Sequence, residues 1–188
     1  DHVMDKVLDQ CAARLSGVQP DAGILMADID FNGKQILTMV QERFPGVRLV
    51  GGTTSGIFSS ALGFSEYSIA LLLFASDDVV FHAALGERAT EDPEGAIRRA
   101  FDSIGWTNSG EDRLCFFLPD GRAGDIPQLM DSVRKELSPG CAVLGGSLGR
   151  HSLTDARPQQ FFFDEIFEDA VGILVLEGRV PFSYSICN

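Results

Sequence analysis

The sequence has few of the residues from which metal and disulfide sites are built. It contains three histidines, one tryptophan and four cysteines, and the cysteines are far apart: Cys11, Cys115, Cys141 and Cys187. No Cys-x-x-Cys pair occurs, which argues against a zinc ribbon or a thioredoxin-type site. The histidines are isolated and lack metal-ligand spacing, so we expect neither a metal nor a cofactor.

Basic residues and long apolar runs are also scarce. The chain of 188 residues carries 15 Lys+Arg against 27 Asp+Glu, a formal net charge of −12. An acidic chain is a poor partner for nucleic acid or for an anionic membrane surface, because both bind through clustered positive charge. The run 69–75 is too short to cross a bilayer, so no membrane insertion is expected. The composition fits a globular protein of the reducing cytoplasm.

Hydrophobic periodicity predicts an alternation of helices and short strands. Apolar residues at helical spacing predict helices over 3–15, 34–44, 93–104 and 125–137. Short apolar runs predict strands near 23–29, 47–50, 57–60, 67–75, 78–86, 113–118, 141–144, 160–163, 169–177 and 180–187. The fold class is therefore α/β.

The predicted elements occur twice in the same order. Each half has a helix, then β-α-β, then a Gly-Gly step and two or three further strands, which predicts pseudo-repeats over 1–90 and 91–188. Asp28 and Asp120 each lie a few residues after the start of the first strand of their half. A β-α-β unit requires parallel pairing, whereas short loops require antiparallel pairing, so we expect mixed sheets with covering helices. An alternative is an α-β-β-α layered sandwich.

Two glycine-rich steps are the leading candidate site residues. The first comprises Gly51, Gly52, Thr53, Thr54, Ser55 and Gly56, and the second comprises Gly145, Gly146 and Ser147. Such turns can point successive amides at one anionic group. The competing interpretation is a tight turn that merely needs positive φ. We hypothesise that the two steps face one cleft.

The third candidate segment is Asp120-Gly121-Arg122, which follows a predicted strand and precedes a helix. Loops at the carboxyl ends of strands are the usual ligand positions in open α/β sheets. Asp120 is suited to an amino group and Arg122 to a carboxylate. A structural Asp-Gly turn is the alternative. Arg150-His151 is a further candidate anion site or a mobile loop.

A hydrolase and an aromatic interface are two other hypotheses. Ser55 or Thr53 as nucleophile would need His82 or His151 as base, and the Gly-x-Ser-x-Gly elbow is absent. The run 161–163 of three phenylalanines indicates core with inter-domain contact, or else a homodimer contact.

The order of the motifs resembles the FIST N-terminal domain family. Leu49-Val50-Gly51-Gly52-Thr53-Thr54-Ser55-Gly56 followed by Ser68-Ile69-Ala70-Leu71 is similar to the family's first strand–glycine step. Phe117-Leu118-Pro119-Asp120-Gly121 and Val143-Leu144-Gly145-Gly146-Ser147 are similar to later steps. Glu165 and Ala170 stand where the family commonly has glycine.

The resemblance implies a sensory domain of bacterial signal-transduction proteins. It implies binding of a small polar metabolite, with amino acids as candidates. We expect no enzyme activity, because neither candidate histidine base lies in a catalytic motif, and a hydrolase is kept as an alternative. It also implies that a FIST C-terminal domain and an output domain follow in the full-length protein. The chain begins at Asp1 and ends after a predicted strand, so we expect a piece of such a protein. An interaction scaffold without a small ligand remains an alternative.

Overall fold

The computed structural model describes residues 2–59, 63–123, 125–149 and 157–183. The helices are α1 (His2–Leu15), α2 (Gly33–Arg43), α3 (Pro93–Ser103) and α4 (Ile126–Glu136). The strands are β1 (Ala22–Ala27), β2 (Arg48–Thr53), β3 (Ile57–Ser59), β4 (Gly63–Ser65), β5 (Ile69–Phe74), β6 (Val79–Glu87), β7 (Asp112–Pro119), β8 (Ala142–Gly145), β9 (Gln160–Phe162), β10 (Glu165–Phe167) and β11 (Ala170–Gly178). No helix in the described ranges is long and apolar enough to cross a bilayer.

The helices begin where the sequence supplies capping side chains. The carboxylate of Asp92 accepts the Gly95 amide at 3.0 Å, and that of Asp125 accepts the Gln128 amide at 2.8 Å. Each bond satisfies one amide that has no partner inside the helix. Pro93 lies in the first turn of α3, where no amide hydrogen is needed. All four helices agree with the predicted ranges to within about one residue.

The strands form two mixed sheets and one hairpin. The first sheet has the order β10-β9-β2-β1-β5, the second has the order β6-β11-β7-β8, and β3 pairs with β4. The pairs β1–β2 and β7–β8 are parallel, and the other pairs are antiparallel. The predicted α/β class with mixed sheets is therefore confirmed.

Three apolar clusters place the two sheets face to face with helices outside. One cluster joins α1 and α2 to the first sheet, through residues such as Leu37 and Leu25. Another joins α3 and α4 to the second sheet, through residues such as Ile97 and Ile173. The third contains residues of strands and loops only, from both sheets, such as Ile24 and Leu174. The layers are thus helix, sheet, sheet, helix, which is the alternative predicted from the sequence.

Strands of the two halves of the chain are exchanged between the sheets. The strand β6 belongs to the second sheet, where it pairs with β11, and β9 with β10 extends the first sheet beside β2. The predicted short antiparallel connections therefore do not keep each half in its own sheet. The order β2-β1-β5 nevertheless matches β8-β7-β11 in pairing and direction. The division into repeats at residue 90 stays a prediction.

The predicted and observed strands differ at three places. The short strands β4 and β10 were not predicted. Of the strand predicted over 180–187, residues 180–183 form no strand and residues 184–187 lie outside the described part. In the phenylalanine run, Phe161 is buried in the core. This agrees with the predicted core role and leaves the inter-domain contact a prediction.

Gly51 and Gly145 occupy equivalent positions in the two parallel strand pairs. Their φ angles are +151° and +153°, which L side chains rarely adopt. A Cβ on Gly51 would lie 1.8 Å from the Leu25 carbonyl oxygen, and one on Gly145 would lie 1.9 Å from that of Phe117. The prediction that a turn starts at Gly51 is wrong, since β2 continues to Thr53. Glycine is required here by the strand pairing itself.

A hydrogen bond between side chains links β6 to the end of β11. The Nε2 atom of His82 lies 2.8 Å from the Glu177 carboxylate, which also accepts a hydrogen bond from the Ser109 hydroxyl. The Ser109 hydrogen bond, followed by that with His82, holds the pKa of Glu177 below its ordinary value despite some opposing desolvation. The pair ties the loop before β7 to the second sheet.

We predict that Gly145→Ala destabilises the protein by about 2–4 kcal/mol, because the added Cβ collides with backbone at a positive φ. Gly140→Ala is the matched control, since a Cβ there meets no atom within 4 Å. Urea unfolding of both variants measures the difference. Equal stability of the two variants would contradict the inferred constraint.

The Glu177 pair predicts a pH-dependent contribution to stability. A depressed carboxyl pKa stabilises the fold above the ordinary glutamate pKa, and this contribution is lost as the pH falls through the depressed value. The free energy of unfolding of wild type relative to Glu177→Gln should therefore shrink as the pH falls from about 5 to about 3. Glu42→Gln, at an exposed position of α2, is the control and should show no such trend. Denaturant titrations at each pH give the comparison.

Candidate functional site

The carboxyl ends of β2, β7 and β8 meet at one place. Leu148, which follows β8, donates its amide to the Pro119 carbonyl at 2.8 Å and accepts the Gly121 amide at 3.0 Å. The next residue, Gly149, donates its amide to the Thr53 carbonyl at 3.0 Å. We call residues 53–56, 120–122 and 145–149 the strand-end junction. The structure therefore brings the three predicted segments into one neighbourhood.

The threonines of the first segment are already hydrogen-bonded within the protein. Thr53 is buried, and its Oγ1 atom accepts the Gln159 amide at 2.9 Å. Thr54 donates its hydroxyl to the Gly56 carbonyl at 2.8 Å and accepts the Gly56 amide at 3.3 Å. Both threonines thus shape the backbone. Ser55, which follows them, is the exposed residue of the segment.

The carboxylate of Asp120 holds two backbone amides. Its Oδ1 atom accepts the Arg122 amide at 2.8 Å, its Oδ2 atom accepts the Asp169 amide at 3.2 Å, and the residue is 2% exposed. Asp28 makes the corresponding bond to the Asp30 amide at 2.9 Å after β1. In this structure the Asp120 oxygens therefore stabilise backbone turns, as the structural alternative predicted. An amino group of a ligand would have to share these oxygens with the backbone amides.

The exposed part of the junction combines residues from all three segments. Gly121 and Arg122 are exposed, as are Gly146 and Ser147 on the facing segment. A Cβ on Gly121 would lie 3.5 Å from that of Ser147, and one on Gly149 would lie 3.6 Å from the Ser55 Oγ atom. The second glycine step therefore lies between Ser55 and the Asp120 turn.

The exposed residues of the junction also supply backbone amides. Within the described ranges, the structure gives no hydrogen-bond partner to the backbone amides of Ser55, Gly146 and Ser147. Arg122 likewise makes no ion pair among the described residues. Unpaired amides beside a guanidinium form a surface suited to a carboxylate or another anion.

Of the two histidines considered as bases, the structure describes His82 and does not describe His151. His82 lies on β6, an edge strand of the second sheet, opposite Val175, and it contacts Glu177 rather than the junction. His151 and the neighbouring Arg150 lie outside the described residues. No group of three metal-binding side chains occurs in the ranges that the structure covers. Burial raises the pKa of the Cys141 thiol to about 12, which keeps it protonated at neutral pH.

Sequence reasoning missed the residues that fasten β9 to β2 beside the junction. Gln160 is buried, and its Nε2 atom donates to the Gly51 carbonyl at 2.6 Å. Its Oε1 atom is buried without a partner among the described atoms. Gly172 provides the space for this side chain, since a Cβ there would lie 2.3 Å from Nε2. The only signal in the sequence was the pair Gln159-Gln160 before the phenylalanine run. The sequence does not show that Gln160 would bond to Gly51.

Comparisons with solved structures give only distant likeness. One is the crystal structure of cyanuric acid hydrolase from A. caulinodans, with a TM-score of 0.39, 10% identity, and coverage of 93% of this chain and 64% of that chain. Another cyanuric acid hydrolase structure has a TM-score of 0.35, 10% identity, and coverage of 89% and 62%. The chain thus spans less than two thirds of the structures it matches. A comparison with curated proteins gives no match.

The comparison with family models identifies the family to which the chain belongs. The model described as the FIST N domain matches residues 21–188 and so includes both glycine steps, the Asp120 turn and all eleven strands. The resemblance inferred from the motifs is confirmed. The chain belongs to the FIST N domain family, which comprises sensory domains of signal-transduction proteins.

Proposed function

We propose that this domain senses a small polar metabolite that carries a carboxylate, with a free amino acid as the leading candidate, and that it binds the metabolite at the strand-end junction. The protein that contains the domain then acts in intracellular signal transduction in the bacterial cytoplasm. A FIST C-terminal domain and an output domain are its proposed partners. Family membership supports the sensory role, and the junction supports the ligand class.

The observation that carries the proposal is the set of unpaired amides. The exposed amides of Ser55, Gly146 and Ser147 offer three donors where strands of both sheets end. Ligands of α/β proteins commonly bind outside the carboxyl ends of the strands. Because the backbone is fixed by strand pairing at Gly51 and Gly145, these donors are held in place before a ligand arrives.

Arg122 is the proposed charged partner of the carboxylate. Its side chain is exposed beside Gly121, and its backbone amide is fixed by Asp120. A guanidinium can form two parallel hydrogen bonds to a carboxylate, which adds direction to the charge attraction. Asp120 then has a positioning role, because its oxygens hold the Arg122 and Asp169 amides, and a ligand amino group would share one of these oxygens.

The first test is a thermal-shift screen of the chain with amino acids, their amides and the matching carboxylic acids. A ligand that binds only the folded state stabilises it by about 2.7 kcal/mol at a concentration of 100 Kd. We expect amino acids to raise the Tm, amino acid amides to have no effect, and carboxylic acids without the amino group to have a smaller effect. Stabilisation by the amides equal to that by the acids would contradict the carboxylate assignment.

The second test replaces the charged group. Arg122→Gln should weaken the binding of an active metabolite by about 10-fold to 100-fold, since a charge-assisted hydrogen bond is lost. Arg134→Gln, at an exposed position of α4, removes the same charge elsewhere and should leave the affinity unchanged. Calorimetric titration of both variants gives the dissociation constants. If no metabolite of the panel stabilises the wild-type chain, the scaffold alternative replaces this proposal.

A further inference from the structure

The strand β5 is covered less completely than the strand that corresponds to it in the second sheet. The order β2-β1-β5 matches the order β8-β7-β11. The first seven residues of β11 are buried, whereas no residue of β5 is fully buried and Leu72 is 50% exposed. All six residues of β5 are apolar. The described part of the chain therefore leaves apolar surface of this strand uncovered.

A cavity of about 530 Å³ lies beside β5, between this strand and α1. Its apolar walls include Leu71 and Leu73 of β5 with Val7 and Leu15 of α1, and residues of β3 and β4 form a further wall. Small-molecule sites commonly have volumes of about 300–1,000 Å³ and mostly apolar walls with a few polar groups. The size and the lining of this cavity therefore fit a ligand site.

The cavity follows both elements for a similar length. It follows β5 from Ile69 to Leu73, which is about 13 Å at the rise of a strand. It follows α1 from Val7 to Leu15, which is about 12 Å at the rise of a helix. A ligand with an extended body of this length would contact both walls along its whole chain.

The residues of α1 give the cavity an apolar inside and a polar rim. Val7, Cys11 and Leu15 are four residues apart, so they form one row on the helix. Gln10 and Arg14 form the adjacent row, and both are exposed. The guanidinium of Arg14 therefore lies where the cavity meets the solvent.

The charge at this rim is positive and unopposed. Arg14 is the only charged residue among the described residues that line the cavity, and it makes no ion pair within the described ranges. Burial raises the pKa of the Cys11 thiol, and the charge of Arg14 opposes this effect, so that charge acts on the cavity wall. In a chain with 27 Asp+Glu, a cavity with this lining favours a ligand with one negative charge.

We propose that this cavity is a second ligand site, which binds a carboxylic acid with an elongated aliphatic body. The aliphatic chain lies between α1 and β5, and the carboxylate lies at the rim, where the Arg14 guanidinium can form two parallel hydrogen bonds with it. The family match begins at residue 21, so α1 lies outside the matched range. No residue of the strand-end junction lines the cavity, and the proposal is independent of the proposed amino acid site.

The first experiment is calorimetric titration of the 188-residue chain with decanoate, octanoate and decanamide. We expect decanoate to bind about tenfold more tightly than octanoate, because each buried methylene group raises the affinity about threefold to fourfold. Decanamide should bind at least tenfold more weakly than decanoate, because it lacks the charge. Equal affinities of the two acids would contradict the apolar part of the site. Equal affinities of decanoate and decanamide, or no binding of decanoate, would refute the proposal.

The second experiment replaces the charge at the rim. Arg14→Gln should weaken the binding of decanoate at least tenfold and change the affinity for decanamide less than twofold. Lys6→Gln removes the same charge from an exposed position of α1 outside the cavity, so this matched control should leave both affinities unchanged. If Arg122→Gln weakens the binding of decanoate and Arg14→Gln does not, the acid binds at the junction. This proposal then fails while the proposed function stands.

The third experiment locates the bound acid through Cys11. Its Sγ atom lies 3.8 Å from the Leu71 carbonyl oxygen in the cavity wall. Saturating decanoate should slow the alkylation of Cys11 by iodoacetamide at least tenfold. It should slow the alkylation of Cys141, which is half-buried outside the cavity, less than twofold. Peptide mapping by mass spectrometry measures both rates.

Two outcomes of the alkylation would overturn the proposal. Unchanged alkylation of Cys11, or equal protection of both cysteines, would place the acid elsewhere. Protection of Cys11 that increases with protein concentration in the absence of decanoate would assign the cavity to a second copy of the chain.

Discussion

The structure depends on the need of two largely apolar sheets to be covered on both faces. Every residue from Ala170 to Leu176 in β11 is buried, so this strand can lie only between two layers. Ile173 faces the helices, whereas Leu174 faces the other sheet. Stacking the sheets against each other covers the inner faces, and the four helices cover the outer ones. The junction lies where strands of both stacked sheets end.

Local physics explains why the helices and most strands could be predicted. Apolar spacing and capping residues such as Asp92 and Asp125 are read within a few neighbouring positions, and the helices they predict are present. The family resemblance rested on short motifs in order, and it was also confirmed. The exchange of β6 between the sheets could not be predicted, because β5 and β6 are joined by a short loop that does not reveal which strand will be the partner. The strands β4 and β10 are too short for periodicity to detect.

The candidate site also depends on contacts between residues that are distant in sequence, and these could not be predicted. The sequence identified Thr53, Asp120 and Gly145 as residues of interest, and the structure brings their segments together. The sequence could not indicate which polar side chains are already hydrogen-bonded within the protein. Thr53 and Asp120 accept the backbone amides of Gln159 and Asp169, and these partners are distant in sequence. The groups left exposed are backbone amides, and these carry no signature in the amino-acid letters. The buried Gln160, which fastens β9 to Gly51, was missed for the same reason.

The exchange of strands has a consequence for how the chain acquires its structure. The β6–β11 pairing joins residues such as Ala83 and Leu174, which are separated by nearly half of the chain. Pairings of high sequence separation form slowly, because much chain entropy is lost before the contact contributes. The strand β6 therefore cannot take its place in the second sheet until β11, its pairing partner there, has been synthesised. Chaperone protection during synthesis matters most over that interval.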